Sequence, residues 1–263
     1  MSAPSHALTD SITMLRRQLV HMVRYPIVLF TIGIPVIILV LFVYVFGGMM
    51  GAGLVGISGG RAEYLAYLVP GILLIAVSLG SQMTAIAVAT DMTEGIIARF
   101  RTMSIARSSV LAGHVLSSVM QTMVSMAVVI GVALILGYRP AASAMDWLAV
   151  TGLLTLVSLA ITWLSVGMGL VSRTVESASN LPMPIMLLPF FGSGFVPTET
   201  LPAGIRWFAE YQPFTPIMET LRALLAGTPM GSSAPIAIAW CVGILLVGYV
   251  WSLKLYERDP VPK

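Results

Sequence analysis

Six charge-free runs of mostly apolar residues punctuate this chain, at 26–46, 64–90, 109–138, 147–172, 177–197 and 235–253. A helix crosses a bilayer with about 20 apolar residues, so the pattern predicts an all-α polytopic membrane protein with six transmembrane helices. Pro35 is expected to kink the first, and Pro182, Pro184, Pro189 and Pro197 crowd the fifth. Residues 47–60 form a Gly-rich connection between the first two.

The polar segments carry patterns of their own. In residues 1–25, Leu8, Ile12, Leu15, Leu19 and Met22 recur every three or four positions, with Arg16, Arg17, His21 and Arg24 between them. This is the signature of an amphipathic helix lying in the headgroup region with a basic face. Arginines placed directly before the first apolar run do not match a cleavable signal peptide, so the segment is expected to be retained. In residues 91–107, Asp91 is placed to cap a helix with Glu94 at its third position, and Arg99 and Arg101 fall near the end where basic charge suits the helix dipole. A short helix displayed between two spans follows, with Phe100 between two arginines as a contact-forming group. In residues 201–227, Leu201-Pro202 and Thr215-Pro216 each place a proline in a first helical turn, with Thr215 as N-cap. Ile205 and Phe208 share a face away from Arg206 and Glu210; Ile217, Leu221 and Leu224 share one away from Glu219 and Arg222, and Gly227 supplies a stop. Two short re-entrant helices are expected here, dipping into the outer leaflet without crossing it.

Composition narrows the class. The chain has 263 residues, 57% hydrophobic and 10% charged, with mean hydropathy +0.94; a soluble domain carries roughly 25% charged residues, so these few charges cannot cover a water-facing surface. On the N-terminal side of the six-span ladder lie Arg16, Arg17, Arg24, Arg99, Arg101, Arg107, Arg173, Lys254, Arg258 and Lys263; Arg61, Arg139, Arg206 and Arg222 lie on the other. This asymmetry puts both termini in the cytoplasm of a multi-pass protein in the cell membrane. The net charge of +3 comes from these boundary residues and implies no nucleic-acid partner. Small-xxx-small spacings at Gly47/Gly51, Ala127/Gly131 and Ala239/Gly243 arise by chance in a chain with 24 glycines, and none is assigned to an interface.

Candidate chemistry is sparse. Cys241 is single and lies in an apolar run, while His6, His21 and His114 are far apart, so no disulfide or metal site is expected. A phosphate loop needs a Gly-Lys pair, yet Lys254 and Lys263 follow Leu253 and Pro262. Ser58-Gly59-Gly60 resembles a nucleotide-binding signature only superficially and reads as linker. A lipid-modifying enzyme would need convergent polar groups, but Glu199, Glu210 and Glu219 have no His or Cys beside them. A gradient-driven carrier would need ionisable groups inside the spans, and the six runs hold no Asp, Glu, Lys or Arg. Neither class is favoured, and no cofactor is expected on this chain.

The chain resembles permease subunits of the ABC-2 transporter family, particularly the daunorubicin-resistance type that exports drugs and lipids. The likeness rests on the amphipathic N-terminus, the six runs, Glu94-Gly95, Arg99-Phe100-Arg101-Thr102, Pro189, Ser193-Gly194-Phe195-Val196-Pro197, Leu201-Pro202, Pro213-Phe214-Thr215-Pro216, Arg222 and Gly227. It implies a half-transporter that pairs with a second permease subunit, the same or a paralogue, and with two cytoplasmic ATPase subunits carrying ATP and magnesium. The 91–107 segment, with Asp91, Glu94, Arg99, Phe100, Arg101 and Thr102, would be the coupling helix seated on the ATPase, beside the interfacial helix of Arg16, Arg17 and Arg24. Phe195, Pro197, Pro202, Pro213, Pro216 and Arg222 would belong to the outer gate. Ser104 stands where the family often has proline. The implied function is outward export of a hydrophobic or amphiphilic drug, antibiotic or lipid; polysaccharide or glycolipid export is the alternative.

Overall fold

The computed structural model describes residues 27–47, 60–94, 107–195 and 201–257, and among them every element is helical. The helices are α1 (Ile27–Val45), α2 (Gly60–Thr93), α3 (Arg107–Ile135), α4 (Ala144–Val171), α5 (Val175–Asn180), α6 (Met183–Phe191), α7 (Ala203–Tyr211), α8 (Phe214–Ala226) and α9 (Ser233–Glu257). Four of them, α2, α3, α4 and α9, contain stretches long and apolar enough to cross a membrane, while the apolar part of α1, Phe30–Val45, is shorter. Arg16, Arg17, Arg24, Arg99, Phe100, Arg101, Thr102, Ser104 and Pro197 lie outside the described residues.

α2 is the central element. Its residues 68–81 are buried on every side, the environment of a helix apolar all round its circumference. α1, α3, α4, α5, α6 and α8 all pack on it, and α9 packs on the far side of α4 and on α8. α9 leaves Ile236, Ile238, Leu246, Val247 and Val250 exposed, consistent with a lipid-facing position.

Several expected boundaries move for identifiable reasons. Asp91 does not begin a new helix: α2 continues through it to Thr93, and the Glu94 amide closes the last turn on the Thr90 carbonyl at 2.9 Å. α4 starts three residues earlier than the apolar run because Ser143 and Asp146 form a reciprocal capping box. The stretch 177–197 is not one continuous helix. It divides at Leu181 and Pro182 into α5 and α6, because Pro182 and Pro184 remove two amide donors within three residues. Thr215 is not an N-cap: α8 begins at Phe214, behind Pro213, and Thr215 is buried inside its first turn. Gly227 does stop α8, in the left-handed conformation at φ 66°.

Candidate functional site

Chemistry-bearing residues gather in two places. The first lies where α8 meets the start of α2 and the turn after α6. Arg222, on α8, is not on an exposed polar face as its helical period implies. It turns inward, donates from Nη2 to the Ser193 carbonyl at 2.6 Å, and lays its guanidinium 3.9 Å over the Tyr67 ring. Planar geometry and charge suit it to both contacts. Among the described residues no carboxylate lies within ion-pair distance of it; Glu219, one turn earlier, instead accepts from Ser233 Oγ at 2.8 Å. Burial pulls the guanidinium below its usual range, opposed by Tyr67 and then Glu219.

The turn held by Arg222 is wedged between helices. A Cβ on Gly71 would lie 2.9 Å from the Gly194 carbonyl oxygen, and one on Gly194 would meet Met218 Sδ at 2.7 Å. Glycine at both positions is what lets the turn pass between α2 and α8. Phe195 closes it, stacked on Phe190 at 4.7 Å and tilted against Phe42 of α1 at 4.8 Å. Below it, Gln212 donates to the Leu188 carbonyl at 3.0 Å, and Thr215 Oγ1 donates to the Ala209 carbonyl at 2.5 Å. These bonds fix the α7–α8 corner onto α6. Between α6 and α7 an apolar cleft of about 400 Å3 opens, lined by Pro184, Leu187, Leu188, Phe191, Ile205 and Phe208. Also on α7, Trp207 and Tyr211 form an exposed ring pair, and Arg206 and Glu210 an ion pair.

The second cluster joins the far end of α2 to α3. His114 Nε2 lies 3.0 Å from Asp91 Oδ2, with side chains 5% and 15% exposed, so the last turn of α2 is tied to the second turn of α3. A polar seam climbs from there. Thr84 Oγ1 donates to Ser118 Oγ at 2.6 Å, Gln121 Nε2 to Thr31 Oγ1 at 2.7 Å, and Ser125 Oγ to the Thr31 carbonyl at 2.9 Å. Such bonds between helices in a bilayer average about 0.6 kcal/mol, so the seam sets register more than strength. Asp91→Leu is expected to destabilise the purified permease by about 1–3 kcal/mol, the cost of breaking a buried bond to a charged group. Asp91→Asn, which keeps an acceptor, should lose less than half as much; equal thermal melting of both variants and the parent would refute the pairing.

Of the residues singled out by pattern, Phe195 and Arg222 meet at the Ser193–Gly194 turn, and Pro213 and Pro216 build the start of α8. Pro202 stands apart, exposed, as the N-cap of α7. Tyr67, Gly71, Gln212 and the pairing of Asp91 with His114 belong to these clusters without having been singled out by the sequence. No group of three or more metal-ligating side chains occurs among the described residues.

Apolar helices long enough to span a membrane, charges confined near their ends and a proline-broken pair followed by short amphipathic helices define a multi-pass helical membrane protein. The description of ABC-2 type transporters matches residues 9–226, and the chain belongs to that family. It is similar to the daunorubicin resistance ABC transporter permease protein DrrB1 of Streptomyces coeruleorubidus, 26% identical over 97% of this chain and 89% of the relative. It is also similar to probable doxorubicin resistance ABC transporter permease proteins DrrC of Mycobacterium tuberculosis strains CDC 1551 and H37Rv, 25% identical over 68% of this chain and 65% of each relative. Family membership makes the chain a membrane permease, not an enzyme, and implies an ABC ATPase partner.

Proposed function

We propose that this chain is the membrane half of an ATP-driven exporter that moves a hydrophobic or amphiphilic compound, a drug, antibiotic or lipid, outward. The observation that carries the reading is the likeness along almost the whole chain to a daunorubicin resistance permease. The apolar α6–α7 cleft and the charge-free middles of the long helices support an apolar cargo, since an ionised group there would be desolvated without a partner.

In this reading both termini are cytoplasmic and there are six spans, with α5 and α6 together as a broken fifth. α7 and α8 form the re-entrant outer gate. Two copies of a cytoplasmic ATPase bind ATP and magnesium, and a second permease subunit completes the path. Asp91 and Glu94 end α2 at the cytoplasmic face, where the residues through Arg107 form the coupling segment and the N-terminal interfacial helix lies beside it. Inverted vesicles containing the permease and its ATPase should accumulate daunorubicin only with ATP and magnesium. Movement of a long glycan but of no amphiphile would overturn the cargo assignment.

A further inference from the structure

α2 reaches from the Asp91–His114 tie to the Arg222 cluster, carrying Asp91 near one end and Tyr67 near the other. Its 34 residues extend about 50 Å at 1.5 Å per residue, enough to cross the bilayer core. At one end it runs into residues 94–106, and at the other it meets the Ser193–Gly194 turn.

That meeting is a clamp with two jaws. α2 supplies Tyr67 and Gly71, one helical turn apart on the same face. α8 supplies Met218 and Arg222, also one turn apart. The turn after α6 is held between them. Gly71 and Gly194 bring backbone against backbone, and Met218 Sδ lies against Gly194 as well. Arg222 adds directional contacts to this packing: one nitrogen, Nη2, reaches the Ser193 carbonyl at 2.6 Å and the Tyr67 carbonyl at 3.4 Å, while its plane covers the Tyr67 ring at 3.9 Å. The longer of these is a weak bond by geometry, so the ring face and the Ser193 carbonyl carry the latch. Packing at the glycines resists compression but not separation. The directional contacts of Arg222 resist the helices parting.

We infer that Arg222 is a positioning residue that latches the α7–α8 unit and the Ser193–Gly194 turn to α2, so that the unit moves with that helix. The inference deepens the export reading and rests on it for its functional meaning: a displacement imposed on α2 at its cytoplasmic end would arrive at the gate as a rigid-body shift. Loss of the latch would leave ATP hydrolysis running while the gate no longer follows. Lysine keeps the charge and a donor but not the plane that covers Tyr67, so it should restore the latch only in part.

The test separates the latch from the cargo. With Cys241→Ala removing the only cysteine, spin labels are placed at Glu63→Cys on α2 and Trp207→Cys on α7, both exposed, in the full-length permease in lipid nanodiscs. The parent is expected to give one narrow distance distribution. Arg222→Met should broaden it or add a second distance, and Arg222→Lys should fall between. In complex with the ATPase, Arg222→Met should keep ATP hydrolysis within twofold and cut daunorubicin transport at least tenfold. An Arg222→Met distribution identical to the parent overturns the latch; if Arg222→Met does not fold, an Arg222→Lys distribution identical to the parent overturns it instead. Failure of the parent to move daunorubicin would count against the export reading alone, because the distance measurement needs neither cargo nor ATPase.

Discussion

Arg101→Glu is expected to abolish ATP-dependent transport while leaving the permease folded in the membrane. α2 ends at Thr93 and α3 begins at Arg107, so residues 94–106 have little chain in which to build a contact with the proposed ATPase. Within them Arg99 and Arg101 are the only basic side chains and Phe100 the only aromatic. Truncating one member of a hydrogen-bonded interfacial charge pair costs about 2–5 kcal/mol, which corresponds to at least about 30-fold in association; reversal adds repulsion to that loss. The helices on either side are held by their own packing and by His114–Asp91, so folding should be spared. Copurification of the ATPase with the variant permease measures the loss. Glu94→Lys, at an exposed position on the end of α2, should have a smaller effect. Full assembly and transport by Arg101→Glu would remove the coupling assignment.

Gly248→Val should be strongly damaging to the helix bundle. A Cβ at Gly248 would lie 2.7 Å from the Leu164 backbone nitrogen and 3.0 Å from its Cα. A backbone obstacle cannot rotate away, so α9 must retreat from α4. That movement would also pull Ser252 Oγ from the Trp163 carbonyl, now 2.9 Å away, and part the edge-to-face Trp163–Tyr249 pair at 4.9 Å. Overpacking costs about 1–3 kcal/mol and occasionally more, and here several contacts are lost with it. Gly243→Ala on the same helix is the control. Its Cβ meets no atom within 4 Å, so gaining about 0.5–1 kcal/mol of helix propensity should leave it at least as stable as the parent. Thermal melting and monodisperse yield in detergent measure both. Equal behaviour of the two variants would refute the close α4–α9 approach.

The contrast between those glycines shows why spacing alone does not locate a helix contact. Ala239/Gly243 has the small-xxx-small spacing, yet Gly243 faces open space; Gly248 meets a backbone without belonging to the pairs that spacing singled out. A glycine's role depends on which neighbour its face meets, and the sequence period does not name the neighbour. Arg222 is the same case. Its position set it apart from the Ile217, Leu221 and Leu224 face, which is indeed buried. What brings the guanidinium inward is an acceptor presented by another segment, the Ser193 carbonyl.

Capping was partly legible. Ser143 and Asp146 stand at the capping-box spacing, and the box extends α4 by a turn. Asp91 and Glu94 stand at the same spacing, but Asp91 continues a helix already under way and binds His114. The difference lies upstream, in an uninterrupted apolar run that carries helical hydrogen bonding straight through Asp91.

The sequence by itself determined the solvent, the helical class and the family. Too few charges for a water-facing surface, long apolar runs and the ordered motifs around Arg99-Phe100-Arg101 and Pro213-Phe214-Thr215-Pro216 are properties of the chain read one residue at a time. Tertiary structure decided which polar groups meet: Asp91 with His114, Gln121 with Thr31, and Arg222 with Ser193 and Tyr67, across 155 residues in the last case. The physical reason is that a bilayer rewards every apolar face about equally, so hydrophobicity selects helices without pairing them. Pairing is chosen by the few groups that cannot remain unbonded in lipid and by the glycines that let backbones approach.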